Sequence, residues 1–362
     1  QTWDRLLLTA VTLAVAAIPE GLPTVLAITL ALGVQRMAAD KALVRKLQAV
    51  ETLGSASVIC TDKTGTLTAN RMTLVRAHLA GIDYRIGGGP MELTGSLSRE
   101  DGKSISATER RRLEEAMEAA VLCNEAGVRR ASGGQLEGVR GDPTEVALLV
   151  GAAKIGLDFE RLRADHALAG ENPFDYNRKM MAQVRSDGAR HVVYVKGAPE
   201  RVLERCESVM TEKGVAPLTP QMRKEIHAQM EAYAHDALRT LGLACRRLDK
   251  GEEKKPQEVE NELVWVGLTG MLDPPRPEVR EALGLCQKAG IRVIMLTGDA
   301  PTTAKVIAGQ LGLLPPQQTD GCLMSGEELE KLDEEQLAAR LPSLRVLARA
   351  TPAHKFRIIT AL

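Results

Sequence analysis

One stretch, Ser57 to Asn70 (S-V-I-C-T-D-K-T-G-T-L-T-A-N), constrains the fold more than any other. Val58, Ile59 and Cys60 make a short apolar run suited to a buried parallel strand. The character then changes at once to Asp62-Lys63-Thr64-Gly65-Thr66, a polar turn with a flexible glycine. In open α/β sheets ligands gather outside the carboxyl ends of the strands, and Asp62 stands at such an end. A carboxylate beside a lysine, two hydroxyls and free backbone N–H groups is equipped to attack a phosphoryl group. An isolated D-x-T-G would more often be a capping aspartate in a tight turn. Seven residues in the order D-K-T-G-T-L-T point beyond that.

The same sheet is announced further along. A helical pattern over about Glu278–Ala289, a turn at Gly290 and the apolar run Ile291–Leu296 lead into Thr297-Gly298-Asp299 and a second helix. This β-α-β-α rhythm predicts a parallel sheet. Val346 to Ala350 is a further strand-like run, followed by Thr351-Pro352-Ala353-His354-Lys355. Between the two halves lies a long insertion, roughly Leu74 to Leu272. It opens with glycine-rich hairpin material (Gly81 to Gly95) and an amphipathic helix over about Ala107–Cys123. Asp142-Pro143-Thr144-Glu145 reads as a helix start that Asp142 or Thr144 would cap. His191 to Val195 alternates as a strand and delivers Lys196-Gly197-Ala198-Pro199-Glu200. Phe174 sits among polar and basic residues (Asp175, Tyr176, Asn177, Arg178, Lys179), where a ring can stack on a base or simply anchor a loop. Asp273-Pro274-Pro275-Arg276-Pro277 is a stiff, turn-rich link back to the parallel sheet.

The first segment is apolar from Leu6 to Val34, interrupted by Pro19-Glu20-Gly21-Leu22-Pro23. A membrane span needs about 20 mostly apolar residues; a buried hairpin of a soluble protein has the same hydropathy. Arg36, Lys41, Arg45 and Lys46 follow the run and only Arg5 precedes it, which puts the long remainder in the cytoplasm. A mid-membrane carboxylate costs roughly 2.5–3.5 kcal/mol, so Glu20 should face a polar interior or an ion. Two prolines release helical carbonyls beside it, giving half a site for a hard cation. Leu43, Val44, Leu47, Val50 and Leu53 then keep a helical spacing, read as an amphipathic stalk.

D-K-T-G-T-L-T resembles the phosphorylation motif of the P-type ATPases, within the haloacid dehalogenase-like superfamily. That superfamily's second aspartate, two residues after the nucleophile, is replaced here by Thr64, which implies a lasting aspartyl-phosphate. The resemblance implies a haloacid dehalogenase-like parallel-sheet phosphorylation domain, an inserted α+β nucleotide-binding domain and a broken transmembrane helix at the N-terminus. It makes Asp62 the nucleophile, with Thr297, Gly298, Asp299 and Lys355 handling the phosphoryl group. The Asp62 side chain and Thr64 carbonyl would hold magnesium. G-D-P-T-E, the Phe174 segment, K-G-A-P-E and L-R-T-L-G-L-A resemble the ATP pocket, implying that Glu145, Phe174, Arg178, Lys179, Lys196, Gly197 and Arg239 contact the nucleotide. Tyr176 departs from the arginine that many calcium pumps of the reticulum kind carry. Asp273 and Arg349, in D-P-P-R and A-R-A-T-P, join the nucleotide set, D-P-P-R also being the family's interdomain hinge. The segment Val15 to Pro23 resembles the fourth transmembrane helix of calcium pumps, implying that Glu20 and the carbonyls of Val15, Ala16 and Ile18 bind the transported cation.

The implied domains are a transmembrane segment (1–37), a stalk (38–56), a phosphorylation domain in two parts (57–73 and 273–362) and a nucleotide-binding domain (74–272). T-G-D-G-x-N-D and the actuator motif T-G-E-S are not in the sequence, so it is expected to be part of a larger multi-pass membrane protein. Its partners are then the bilayer, the transported cation, and the actuator domain and other transmembrane helices of the same pump. Lysine plus arginine and aspartate plus glutamate number 47 each, giving no charge argument for a nucleic-acid partner. Six scattered cysteines fit reduced thiols in a cytosolic compartment. A haloacid dehalogenase-like phosphatase with a large cap, and a non-catalytic nucleotide-binding module, are the competing readings.

Overall fold

The structure is a computed structural model and describes residues 2–16, 21–130, 136–188, 190–252, 258–314 and 321–362. Its helices are α1 (Trp3–Ala16), α2 (Leu22–Ala39), α3 (Gln48–Gly54), α4 (Ala107–Leu122), α5 (Pro143–Lys154), α6 (Phe159–Asp165), α7 (Pro199–Glu204), α8 (Pro220–His235), α9 (Val279–Lys288), α10 (Pro301–Gln310), α11 (Gly326–Glu330), α12 (Glu334–Arg340) and α13 (Pro352–Ala361). The strands are β1 (Val58–Asp62), β2 (Thr73–Leu79), β3 (Ile82–Ile86), β4 (Leu97–Arg99), β5 (Gly127–Arg130), β6 (Leu136–Arg140), β7 (Leu168–Asp175), β8 (Met180–Asp187) and β9 (Arg190–Gly197). They continue with β10 (Cys206–Thr211), β11 (Gly214–Pro217), β12 (Arg239–Leu248), β13 (Leu263–Leu272), β14 (Arg292–Leu296), β15 (Leu323–Ser325) and β16 (Val346–Ala348). The chain falls into two compact units, residues 1–59 with 286–292, and residues 60–285 with 293–362.

In the first unit α1 and α2 expose their apolar side chains along their length. By length and composition α2 is able to cross a membrane. Its end is set by the backbone: Ala42 N–H donates to Met37 O at 2.8 Å and Lys41 N–H to Ala38 O at 3.0 Å. With Lys41 at φ 64, this is the paired-bond stop that usually takes glycine in the left-handed position. The helical spacing read over residues 43–53 is realised only in its second half. The helix stops before Leu43, which is exposed, and only Gln48–Gly54 turns helical again.

The described strands form three sheets, of four, ten and two strands, the last being the hairpin β5-β6. The four-stranded one runs β1-β14-β16-β15, with β14 and β15 both parallel to β16, as the alternating rhythm requires. Its strands are short and apolar because both faces are covered: Val293 to Leu296 and Val346 to Ala348 are buried, as are Ala304 and Ile307 of α10, Leu329 of α11 and Ile358 of α13.

The insertion forms a ten-stranded, mainly antiparallel sheet, ordered β4-β3-β2-β13-β12-β9-β8-β7, with β10 alongside β13 and β11 beyond it. Strand alternation splits its core in two. Along β9, Val192 and Tyr194 enter one apolar cluster with Leu113, Met117 and Leu148 of α4 and α5. Val193 and Val195 enter the other with Leu203, Ile226 and Met230 of α7 and α8. β2 and β13 are neighbours in this sheet, so the two chain crossings into the insertion lie side by side.

Candidate functional site

The loop after β1 is a backbone device. Thr64 (φ −74, ψ 124) and Gly65 (φ 74, ψ −11) occupy the central positions of a type II turn. The second of these has positive φ, which glycine adopts without a steric penalty. Asp62 accepts the Thr64 N–H (3.4 Å) through Oδ1, and Thr68 N–H closes the loop on Lys63 O at 3.0 Å. The capping role and a chemical role thus fall on different oxygens of one carboxylate. Oδ2 of Asp62 takes a hydrogen bond from Lys355 Nζ, and the Asp62 side chain stays 46% exposed.

Lys355 reaches Asp62 from the first turn of α13, whose N-terminus is capped by Thr351 Oγ1 accepting the His354 N–H at 3.3 Å. A cation there opposes the helix dipole. A locally unfavourable placement of this sort marks a site where function outweighs stability. Thr297, buried at the end of β14, accepts the Asp299 N–H through Oγ1 at 3.1 Å, which leaves its own hydroxyl proton to donate. Asp299 pairs with the buried Lys63 at 2.6 Å, and its carbonyl accepts the Arg349 N–H at 2.8 Å. Gly298 is exposed, and a Cβ there would approach only Ala350 O at 4.0 Å, so packing does not demand a glycine. Arg349 is exposed, in the left-handed region at φ 48.

The link after β13 latches onto this loop. Asp273 accepts Thr68 Oγ1–H at 2.6 Å and the Arg71 N–H at 3.0 Å. Arg276 donates to Gly65 O at 3.0 Å and Thr68 O at 3.2 Å. A cleft of about 340 Å³ collects Lys63, Arg239, Asp273, Asp299 and Thr303. The larger cavity, about 530 Å³ beside His78, Met222 and Trp265, contains none of the predicted site residues.

Of the residues expected to contact nucleotide, Glu145 and Lys196 are brought into direct contact. Asp142 caps α5 by accepting the Thr144 N–H at 2.7 Å. Burial works to raise its pKa, but bonds from the Thr144 hydroxyl and N–H and the Glu145 N–H, with Arg239 nearby, hold it below the usual value. Glu145, in the first turn of α5, pairs with Lys196 Nζ at 2.5 Å and accepts the Glu125 N–H at 3.2 Å. Lys196 is buried and also donates to Cys123 O. Its ammonium is thus engaged with the protein instead of lying open along a ligand. Arg163 donates to Val121, Asn124 and Ala126 carbonyls, and Arg185 to Leu122 O. Three cations, the buried Lys196 and Arg185 and the part-buried Arg163, therefore gather at the carbonyl end of α4, where the helix dipole favours positive charge.

Phe174 is 53% exposed, on β7, in a bulge. Asn172 pairs with Ala182 and Asp175 with Met180, so Pro173 and Phe174 together oppose Met181. Met181 in turn pairs with Lys196 across β8 and β9. This register brings Phe174 to the same ladder as Lys196. Arg178, expected near phosphate, is instead ion-paired with the buried Glu260 and donates to Pro173 O at 2.6 Å. Lys179 is exposed at φ 55. Gly197 is fixed by packing, because a Cβ there would lie 2.5 Å from Met180 Cβ. Arg239 is exposed at the start of β12. Val15 and Ala16 lie exposed at the end of α1; Ile18 and Glu20 lie outside the described residues. No group of three or more histidine, cysteine, aspartate or glutamate side chains able to hold a metal occurs among the described residues.

Sequence reasoning missed the Lys63–Asp299 pair, the Glu260 partner of Arg178 and the grip of Arg276 on Gly65. These join residues far apart in the chain. Only the motif order hinted at the first.

The comparisons with known proteins agree on a family. A family model described as P-type ATPase, cytoplasmic domain N, matches residues 112–278. The chain is 40% identical over 356 residues to a calcium-transporting ATPase of Bacillus subtilis, covering 98% of this chain and 39% of that protein. It is 40% identical over 352 residues to calcium-transporting ATPase 1 of Lactococcus lactis, with 97% and 37% covered. It is 36% identical over 367 residues to calcium-transporting ATPase 1 of Saccharomyces cerevisiae, with 100% and 38% covered. The chain thus spans 37–39% of the length of these relatives. Matched along nearly its whole length in this way, the chain belongs to the P-type ATPases.

Proposed function

We propose that this chain is the ATP-handling part, with one ion-binding segment, of a pump that moves calcium across a membrane through an aspartyl-phosphate on Asp62. The observation that carries the reading is the hydrogen bond from Lys355 to Asp62, made between residues 293 apart at the mouth of a parallel sheet. A nucleophilic carboxylate and a charge-balancing ammonium are the two parts that phosphoryl transfer needs first. An oxygen of Asp62 attacks the γ-phosphorus of ATP in line. The bond from that phosphorus to the β,γ-bridging oxygen breaks, and ADP leaves with the electron pair. Lys355 shifts its hydrogen bond to the transferred group, and the Thr297 hydroxyl donates to another of its oxygens. Lys63 stays on Asp299 and holds that side chain in place.

The residues fit a magnesium ion of the kind that binds by one carboxylate, substrate phosphates and waters. Asp62 is part-exposed and the neighbouring Thr64 is exposed, so the carboxylate and the Thr64 carbonyl would hold the ion. Bound there, it supplies neutralisation of phosphate charge.

The phosphorylation part is read as haloacid dehalogenase-like, made of residues 57–73 and 273–362, with 74–272 as the nucleotide domain. The adjacency of β2 and β13 supports those boundaries. Glu145, Phe174, Lys179 and Arg239 contact ATP, with Lys196 and Gly197 shaping the pocket and Asp273 and Arg349 bordering the phosphates. Arg178 serves by holding its loop to Glu260. The pair α1 and α2 is read as a broken transmembrane helix (1–37) leading to a stalk (38–56), with Glu20 and the carbonyls of Val15, Ala16 and Ile18 binding the cation. The basic residues after the span support a cytoplasmic position for the catalytic parts. The calcium named for its relatives is the cation proposed here.

The test is acid-stable phosphoenzyme formation from γ-labelled ATP, in membranes carrying the complete coding sequence, with calcium or a calcium chelator. Label that requires calcium and is lost in Asp62→Asn is expected. Label indifferent to calcium changes the ion; no label in the unaltered protein removes the proposal.

A further inference from the structure

Four aromatic side chains are exposed, Trp3, Phe174, Tyr176 and Phe356, and of these only Phe174 and Tyr176 are in ring contact with each other among the described residues. In a chain with three Phe, four Tyr and two Trp, these two stand exposed side by side, at 53% and 86%. Their rings meet edge to face, with centroids 5.4 Å apart and planes at 80°. Exposing an aromatic ring costs burial free energy, and two adjacent ones on a surface ask for a ligand.

The segment that carries them is held rigidly. Asp175 Oδ1 accepts the N–H groups of Asn177 and Arg178, each at 2.9 Å, and Asp175 O accepts the Lys179 N–H at 2.7 Å. Arg178 is tied to Glu260, which also takes the Asn172 side-chain N–H at 2.8 Å. A pinned loop loses little freedom when a ligand docks. The same pairing decides what kind of ligand. The guanidinium of Arg178 is already neutralised, so the loop turns aromatic surface outward, and aromatic surface selects a planar base over a phosphate.

We propose that Tyr176 is a second nucleobase contact, forming with Phe174 an aromatic corner in which a purine lies on one ring and meets the other nearly at right angles. This rests on the ATP-binding reading above and deepens it, making residue 176 a determinant of base affinity. An arginine in that position would serve a different purpose, since it brings charge instead of a ring.

The experiment is calorimetric titration of the full chain with ATP and, separately, with inorganic tripolyphosphate. Tyr176→Ala is expected to raise the Kd for ATP about 3- to 10-fold, the range for an aromatic pair contact. Tyr176→Phe should keep the unaltered affinity, because the ring carries the effect. Neither change should move tripolyphosphate binding. Phe174→Ala is the control for the underlying reading and should weaken ATP at least as much. If Phe174→Ala weakens ATP while Tyr176→Ala does not, or if Tyr176→Ala weakens tripolyphosphate equally, the aromatic corner is wrong and the ATP reading stands. If the unaltered chain shows no saturable ATP binding, both fall together.

Discussion

At the scale of single residues, the Lys196–Glu145 pair shows how a motif lysine serves two ends. Its side chain is 6% exposed and that of Glu145 12%, so the pair is a buried one. Removing one partner of a buried pair leaves an uncompensated charge and costs about 3–5 kcal/mol, whereas removing both costs far less. Lys196→Met should therefore destabilise the insertion strongly, and the double variant Lys196→Met/Glu145→Gln should recover much of the loss. Urea unfolding of the four members of the cycle checks this. Equal stability of Lys196→Met and the unaltered protein, with only ATP affinity lost, would make the lysine a ligand contact with no structural part. K-G-A-P-E was visible as a motif in the sequence. That its lysine would be turned inward onto Cys123 O and Glu145 was not, because both partners come from elements 51 and 73 residues away.

At the scale of elements, helix starts were the most legible feature, since a cap is a local interaction. Ser106 with Glu109 closes a capping box on α4, and Asp142 with Pro143 starts α5, as the residue types indicate. Asp142→Ala should cost about 1 kcal/mol at neutral pH. The pKa of Asp142 is depressed in the folded state, so its contribution is complete above the unfolded carboxylate pKa of about 3.9 and disappears as pH falls through the lower folded value. The stability difference between Asp142→Ala and the unaltered protein should accordingly shrink below about pH 4, as thermal unfolding across a pH series would record. The end of α2 was not legible in the same way. A lysine in the left-handed position at φ 64 stops it, a role that composition assigns to glycine or asparagine.

At the scale of the molecule, the insertion carries its own two-sided core, and the chain enters and leaves it through neighbouring strands. Such a body should fold alone. Residues 72–273 expressed separately should unfold in one cooperative transition and bind ATP with Phe174 as the main contact. A non-cooperative melt would mean that the parallel-sheet part completes its core. The attachment is more than a tether. Asp273 and Arg276 hold Thr68, Arg71 and Gly65, so the link that bears the insertion also fixes the loop that bears Asp62.

The sequence alone determined whatever is written in local order: the strand and turn around Asp62, the parallel rhythm after Asp273, the helix caps, and the motifs that announce phosphoryl transfer. Each depends on residues a few positions apart, where backbone sterics and short hydrogen bonds decide the outcome. Tertiary structure alone decided which charges are spent and which remain. Lys355 was brought to Asp62 and Lys63 to Asp299, while Arg178 was taken up by Glu260 and Lys196 by Glu145. The β7 bulge, set by pairing with β8, put Phe174 opposite Met181. The physical reason is that a charged side chain's partner is fixed by packing and desolvation between distant segments, and one-dimensional spacing carries no record of them.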